Sequence, residues 1–547
     1  MFHKLSLISI LFLSSSIALA QTSPNGSDFN LTILHNNDVH GRVDQVTMTG
    51  SACTPKDAEA KKCFGGFARM MTAINKIKDE KPDQAVLVLN GGDFFQGSLF
   101  YTKYKSKSLS PFLNAVKYDA VTIGNHEFDD GVPELAKFLK DSKDVKFVSS
   151  NINADKEPNL KKYLTKSLVI TSHGQKIGIV GLTTEATPIL SNPGKKIVFE
   201  NLKTSLEREV KNLESQGINK IIALTHIGLV EDMKLAESVE GVDIYVGGHS
   251  HTLLHNNNKA AEASYPVVVK RPSGDPALIV QDYYAGIYLG DLDVTFNPNG
   301  VPVSWKGDPI LLDNAVAQDQ KIQDMVNKLA KPLEEFRKKK VGVATVDLVG
   351  DRDICRFEEC NLGNLMADAL LSATKKYKTQ IALQNGGGIR TSIPKGPVNY
   401  GQVLEVLPFS NNISVFGLKG SDLQLALENG VSKAENHGNE GTGRFLQVSG
   451  LRYTWDVSKP VGSRIVDVQV RDDHNQYVPL QADQVYQIAA NDFMRMGGDG
   501  YSMLKEKAIN PYDNGINQED ALAAYIQEIS KKSKGVEPKV EGRITKK

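Results

Sequence analysis

A two-part α/β architecture is predicted by three features of the 547-residue sequence. Its length exceeds what one hydrophobic core supports. Its first half alternates short apolar strand-like runs with amphipathic helical stretches, the rhythm of layered α/β packing. A polar, helix-like segment, "DNAVAQDQKIQDMVNKLAKPLEEFRKKK", then separates that half from a second α/β or α+β region beginning near Val341. The expected division is 29–315 for the first part, 316–340 for the linker helix and 341–547 for the second part. Pro332 should kink or delimit the linker helix.

Residues 1–20, "MFHKLSLISILFLSSSIALA", combine Lys4, a short apolar run and the small residues Ala18 and Ala20, and so predict a secretory signal peptide leaving Gln21 at the mature end. As a membrane anchor the run is short and broken by serines. The tail, "VEPKVEGRITKK", is polar and offers no membrane span or lipid-anchor signal. The expected product is secreted, soluble and extracellular.

The cysteines form two close pairs, Cys53 with Cys63 and Cys355 with Cys360. In an oxidising compartment proximity favours two local disulfides among three connectivities, a zinc site being the alternative. Asn25, Asn30 and Asn412 lie in sequons, as in a glycoprotein. Lys plus Arg and Asp plus Glu both number 64. That balance gives no reason to expect an extended nucleic-acid backbone or a strongly anionic membrane as partner.

Within the first half, polar donors follow strand-like runs in "LTILHNNDVHG", "AVLVLNGGDFFQG", "AVTIGNHEFDDG", "IIALTHIGL" and "VDIYVGGHSHTLL". Strand ends are where the loops of a layered α/β fold converge. An aspartate there is ordinarily a turn former, and a lone histidine is ordinarily a satisfied core or surface group. Together these residues make an oxygen and imidazole donor set suited to zinc, manganese or cobalt. The set exceeds one ion's needs. The expected arrangement places Asp38, His40 and His251 on one ion, Asn125, His226 and His249 on a second, and Asp93 between them, as in two-ion phosphate-ester chemistry. His126, next to Asn125, is then left to stabilise or protonate a phosphate or leaving oxygen, with Asp129 fixing its ring. Gly124 and Gly131 are placed to let that loop turn closely.

In the second half, Arg356 lies in the small Cys355–Cys360 loop ahead of an amphipathic helix. "IALQNGGGIR" follows a strand with three glycines flanked by Asn385 and Arg390; it is not a P-loop, so an ATP-dependent motor or kinase is not expected. Phe409 in "EVLPFSNN" and Phe493 in "NDFMRMGGDGY", with Asp499, sit in loops where two rings can sandwich a nucleobase. Taken singly, each ring is ordinarily a core residue.

Taken in order, "NDVHGR", "GNHEFD", "GGHSH", "QNGGGIR", "LPF" and "GGDG" resemble the 5'-nucleotidase family over essentially the whole mature chain. The resemblance implies a calcineurin-like metallophosphatase α/β sandwich followed by a substrate-binding α/β domain, the two hinging between open and closed arrangements. It implies that Asp38, His40, Asp93, Asn125, His226 and His249 bind two divalent ions, zinc foremost, and that His126 and Asp129 form the catalytic pair. It implies that Phe409 and Phe493 stack the base, while Arg356, Asn385, Arg390 and Asp499 contact the nucleotide. The family varies at the position of His251, where imidazole completes the wider metallophosphatase pattern. Neither lipid tethering nor the tight dimer of the vertebrate cell-surface enzyme carries over, and oligomeric state is not legible.

The implied activity is hydrolysis of nucleoside 5'-monophosphates, especially AMP, by a metal-activated water assisted by His126 and Asp129. An apyrase acting on ATP and ADP is the runner-up: the intact "NGGGIR" and the two phenylalanines favour the monophosphatase, while "SACTPKDAEAKKC" also resembles the salivary apyrase branch. A broad UDP-sugar hydrolase, a cyclic phosphodiesterase and a nuclease are further alternatives. A non-catalytic secreted nucleotide binder, for which His126 would be dispensable, is the reading from another class.

Overall fold

The computed structural model describes residues 26–547 apart from 49, 51, 410 and 436–440, so the predicted signal peptide and the sequon at Asn25 lie outside the described residues. The first half is a four-layer sandwich built on two sheets. In one, strand Phe29–Asn36 runs parallel to Ala85–Asn90, followed by Ala120–Thr122, and antiparallel to Tyr288–Phe296. In the other, Gln175–Thr183, Ile221–His226, Ile244–Val246 and Pro276–Val280 are parallel neighbours.

Period-two alternation assigns the layers. Leu31, Ile33, Leu87 and Leu89 meet Ile222, Leu224, Ile244 and Val246 between the sheets. Their neighbours Leu34 and Val88 turn the other way and cluster with Phe67, Met70 and Ile74 of helix Phe67–Glu80. On the opposite outer face, Ile221 and Ala223 pack with Leu206, Val210 and Leu213 of helix Leu202–Glu214. Strands buried on both faces must be nearly continuous in hydrophobicity, which is why these segments show as apolar runs. The parallel strands of both sheets end at the same rim, and the polar loops emerge there.

The connecting helix Gln320–Ala330 is capped by Asp319, whose side chain accepts from the amide of Ile322. Pro332 delimits it, standing in the single turn Lys331–Leu333 before the short helix Glu334–Lys338. Ile322, Val326 and Leu333 are buried in the first half's core, so the connector is packed against that half rather than strung between the two.

The second half carries a mixed five-stranded sheet in the order Leu446–Ser449, Ile381–Asn385, Val485–Asn491, Asn412–Lys419, Ile509–Asn517. Helix Asn361–Ala373 contributes Ala367 and Leu370 to a core shared with Ala382, Ile413 and Ala489 of these strands. The chain is thus a two-part α/β protein. Both local disulfides, Cys53–Cys63 and Cys355–Cys360, are formed, which removes the zinc alternative for these cysteines. Among the described residues no helix is long and apolar enough to cross a membrane.

Candidate active site

Five of the predicted metal donors, Asp38, His40, Asp93, His249 and His251, have φ between +49° and +74°. Left-handed backbone is costly for residues with a Cβ, although aspartate and histidine tolerate it best, and such conformations persist where surrounding structure over-determines them. Close packing does so here. A Cβ on Gly124 would lie 2.1 Å from Asp93 Oδ1, so this glycine is needed for approach, whereas Gly131 supplies a turn at φ +78°.

Two donor groups result: Asp38, His40 and His251 in one, Asp93, His226 and His249 in the other. His251 Nε2 lies 3.2 Å from Asp38 Oδ1 and 3.1 Å from His40 Nε2. Asp93 Oδ2 stands 3.0 Å from His226 Nε2 and 3.9 Å from His40 Nε2, between the groups. His40 Nδ1 is 3.0 Å from the carbonyl of Phe95 and His226 Nδ1 is 2.6 Å from that of Gly91. Each Nδ1–H donates to its carbonyl, which leaves each Nε2 as the ligating atom.

These residues fit divalent ions. Asp38 Oδ1, Asn125 Oδ1 and His226 Nε2 are buried without a hydrogen-bond partner, and buried polar atoms are rarely left so. With no cation, burial opposes charge on His226, yet Asp93 and Asp38 push its pKa up to about 10. The site demands a positive charge where an ion would supply one.

His126 stands beside these groups. Its Nδ1 is 2.6 Å from Asp129 Oδ2, and the hydroxyl of Ser191 donates to Asp129 Oδ1 at 2.6 Å. Burial alone would lower the histidine's pKa, but Asp129 and Asp93 outweigh it and raise it above its ordinary value.

The second half closes over this rim. Arg390 Nη2 lies 3.5 Å from His40 Nε2, and the ring of Phe409 stacks on that of His126 with centroids 5.8 Å apart. The resulting cavity, of about 210 Å³, is lined from one side by Asp93, Asn125, His126, His249 and His251, and from the other by Arg356, Asn385, Arg390, Phe409, Phe493 and Asp499. Asp38, His40 and His226 lie behind that wall, tied to it by the contacts above. Burial, together with the nearby charges of Arg352 and Arg390, holds the pKa of Arg356 well below its usual value, the condition of a cation cluster that an anion would relieve.

The glycines of this half serve close approach. A Cβ on Gly386 would meet the carbonyl of Cys355 at 2.4 Å, and one on Gly498 would meet the ring of Phe493 at 2.5 Å. Asn385 Oδ1 accepts from Asn491 at 2.9 Å while its Nδ2 donates to Asp499 at 2.7 Å, so its amide is locked in one orientation.

The family model for calcineurin-like phosphoesterases matches residues 31–253, and that for the 5'-nucleotidase C-terminal domain matches residues 340–506. The sequence is 37% identical to 5'-nucleotidase of Bos taurus over 541 residues, covering 95% of this chain and 92% of that one. The chain belongs to the 5'-nucleotidase family. Snake venom 5'-nucleotidase of Crotalus adamanteus is 36% identical over 545 residues, covering 96% and 90%. The solved 5'-nucleotidase precursor from Thermus thermophilus matches with a TM-score of 0.88 at 40% identity, covering 95% and 99%. The protein is accordingly a member of a family of metal-dependent phosphohydrolases.

Within this 5'-nucleotidase fold, sequence reasoning missed Glu127. Its buried carboxylate accepts from the amides of Asp93 at 3.0 Å, Phe94 at 2.7 Å, Phe95 at 3.1 Å and Gly124 at 2.7 Å, clamping the loops that bear Asp93 and Asn125. Its local signal is its place inside "GNHEFD", an acidic residue among candidate ligands. Tyr284, which stacks on His251 with centroids 4.8 Å apart and rings 6° from parallel, carried no local signal at all.

Proposed function

We propose that the protein is a secreted two-metal 5'-nucleotidase that hydrolyses nucleoside 5'-monophosphates, AMP above all, to nucleoside and phosphate. The observation that carries the reading is the cavity in which first-half donors face Arg356, Arg390, Phe409 and Phe493 of the second half. Asp38, His40 and His251 would hold one ion, Asn125, His226 and His249 the other, and Asp93 both. This imidazole, carboxylate and amide set suits zinc, with manganese or cobalt as substitutes. When bound, such ions polarise a phosphate ester and neutralise charge developing on it.

The chain's own residues do the rest. Arg356 and Arg390 bind phosphate charge, Phe409 and Phe493 grip the base, and Asp499, steadied by Asn385, accepts ribose hydroxyls. His126, its Nδ1 committed to Asp129, keeps the other ring nitrogen for the ester oxygen, and its raised pKa suits it to hold a proton there. In domain terms, 29–315 would be the metallophosphatase part, 316–340 the linker and 341–547 the substrate-binding part. The predicted signal peptide, the two disulfides and the likeness to snake venom 5'-nucleotidases support secretion.

Phosphate and nucleoside release from AMP, ADP and ATP, with and without a divalent chelator, tests this. Chelator-sensitive formation of adenosine from AMP is expected. Consumption of ATP and ADP that stops at AMP would replace the reading with an apyrase, and absence of turnover in metal-replete protein would replace it with a nucleotide binder.

A further inference from the structure

Arg356 sits on a loop, and something must hold it where its neighbours repel it. Arg352 and Arg390 border the same cavity, and Arg356 Nε is buried without a hydrogen-bond partner. An unrestrained guanidinium there would drift from the other two whenever no anion is bound.

The backbone that carries Arg356 is held by Gln447, a fully buried residue of strand Leu446–Ser449, 91 positions along the chain. Its Nε2 donates to the carbonyls of Cys355 at 2.9 Å and Glu358 at 2.7 Å, and its Oε1 accepts from the amide of Cys360 at 3.1 Å. One carboxamide thus spends both kinds of group on the backbone either side of Arg356. The loop is short, closed by Cys355–Cys360, so fixing these three points fixes the arginine's Cα. Packing reinforces it, because a Cβ on Gly363 would come within 2.4 Å of Gln447 Cγ.

Gln447 also pairs in register with Gln384, directly before Asn385, which bonds Asp499. The arginine loop and the Asn385 strand therefore share one reference point. An apolar residue of the same size would fill the space yet leave two carbonyls and an amide buried and unpaired.

We propose that Gln447 is a positioning residue for Arg356 and, through it, for the nucleotide's phosphate; the inference rests on the role proposed above for Arg356. The test is steady-state kinetics on AMP with Gln447→Glu, Gln447→Leu, Arg356→Ala and the Arg356→Ala/Gln447→Glu double variant, with thermal melts and metal content as controls. Each Gln447 variant should raise KM roughly tenfold, the worth of one charge-assisted contact, while kcat stays within about threefold. The double variant should show the KM of Arg356→Ala alone, because the two changes remove one interaction.

Unchanged KM, loss confined to kcat, or effects that multiply would overturn the proposal. If neither Gln447 variant accumulates as folded protein, the residue serves folding only and the proposal fails. If the wild type does not turn over AMP, it is the reading of the site that fails, and the same cycle run on AMP binding by calorimetry still decides the role of Gln447.

Discussion

His126 and Asp129 are joined by a 2.6 Å contact between Nδ1 and Oδ2, and Ser191 closes on the aspartate's other oxygen at the same distance. A carboxylate bonded on both oxygens cannot rotate freely, so the imidazole it holds presents one ring nitrogen in one direction. Asp129→Asn should therefore reverse the hydrogen-bond sense and lower kcat on AMP by roughly 10²-fold or more, close to the effect of His126→Ala, while Ser191→Ala costs less than about tenfold. Stopped-flow or steady-state kinetics with metal content checked would show this, and near-wild-type kcat in Asp129→Asn would remove the pair from the mechanism.

Asp93 lies between the two donor groups, 3.0 Å from His226 and 3.9 Å from His40. Asp93→Asn should lower metal content in both groups, whereas His251→Ala should spare the group of Asp93, His226 and His249. Elemental analysis of bound metal per chain distinguishes these outcomes. Chelation should also lower the melting temperature, because it removes ions that bind the folded state and leaves Asn125 Oδ1 buried without a hydrogen-bond partner.

The two phenylalanines should separate kinetically. Phe493 packs on Gly498, so Phe493→Ala should raise KM for AMP by roughly 5- to 100-fold, the worth of one base stack, with kcat nearly unchanged. Phe409 stacks on His126 itself, so Phe409→Ala should lower kcat as well. A small phosphate ester without a base provides the control: its KM should respond to neither change, and a parallel rise would mean the rings shape the phosphate site instead.

His35 predicts an acid limb in stability. It is fully buried, with Nε2 2.8 Å from the Tyr265 hydroxyl, and burial holds its pKa down to about 3. In the unfolded chain a histidine titrates near 6.5. Below that pH the unfolded state takes up a proton that the folded state refuses, so the contribution of neutral His35 is complete above 6.5 and is lost as pH falls towards 3. The loss is on the order of 5 kcal/mol at about 1.4 kcal/mol per unit. Denaturant midpoints from pH 7 to pH 4 should fall less steeply in His35→Gln; identical slopes would show that other groups set the acid limb.

Most of the site was legible because its signals are local. Asp38, Asp93, Asn125, His226 and His249 each stand at or just beyond the end of an apolar strand, and strand periodicity plus turn chemistry place such residues at a rim whatever the rest of the chain does. The disulfides were legible for the same reason, with partners 10 and 5 positions apart. The family motifs imply roles for residues in both halves.

What tertiary structure alone decided are relations between distant segments. His251 meets His40 across 211 positions, and Phe29–Asn36 gains its antiparallel neighbour Tyr288–Phe296 from about 260 positions away, as the Thr32–Asp293 bond separated by 261 shows. Glu127, Tyr284 and Gln447 act on backbone or rings that no local pattern brings near them. Propensity and periodicity are properties of a few consecutive residues, whereas these contacts exist only after sheets have paired and packed, so the sequence determined which groups were available and the packing determined which of them act together.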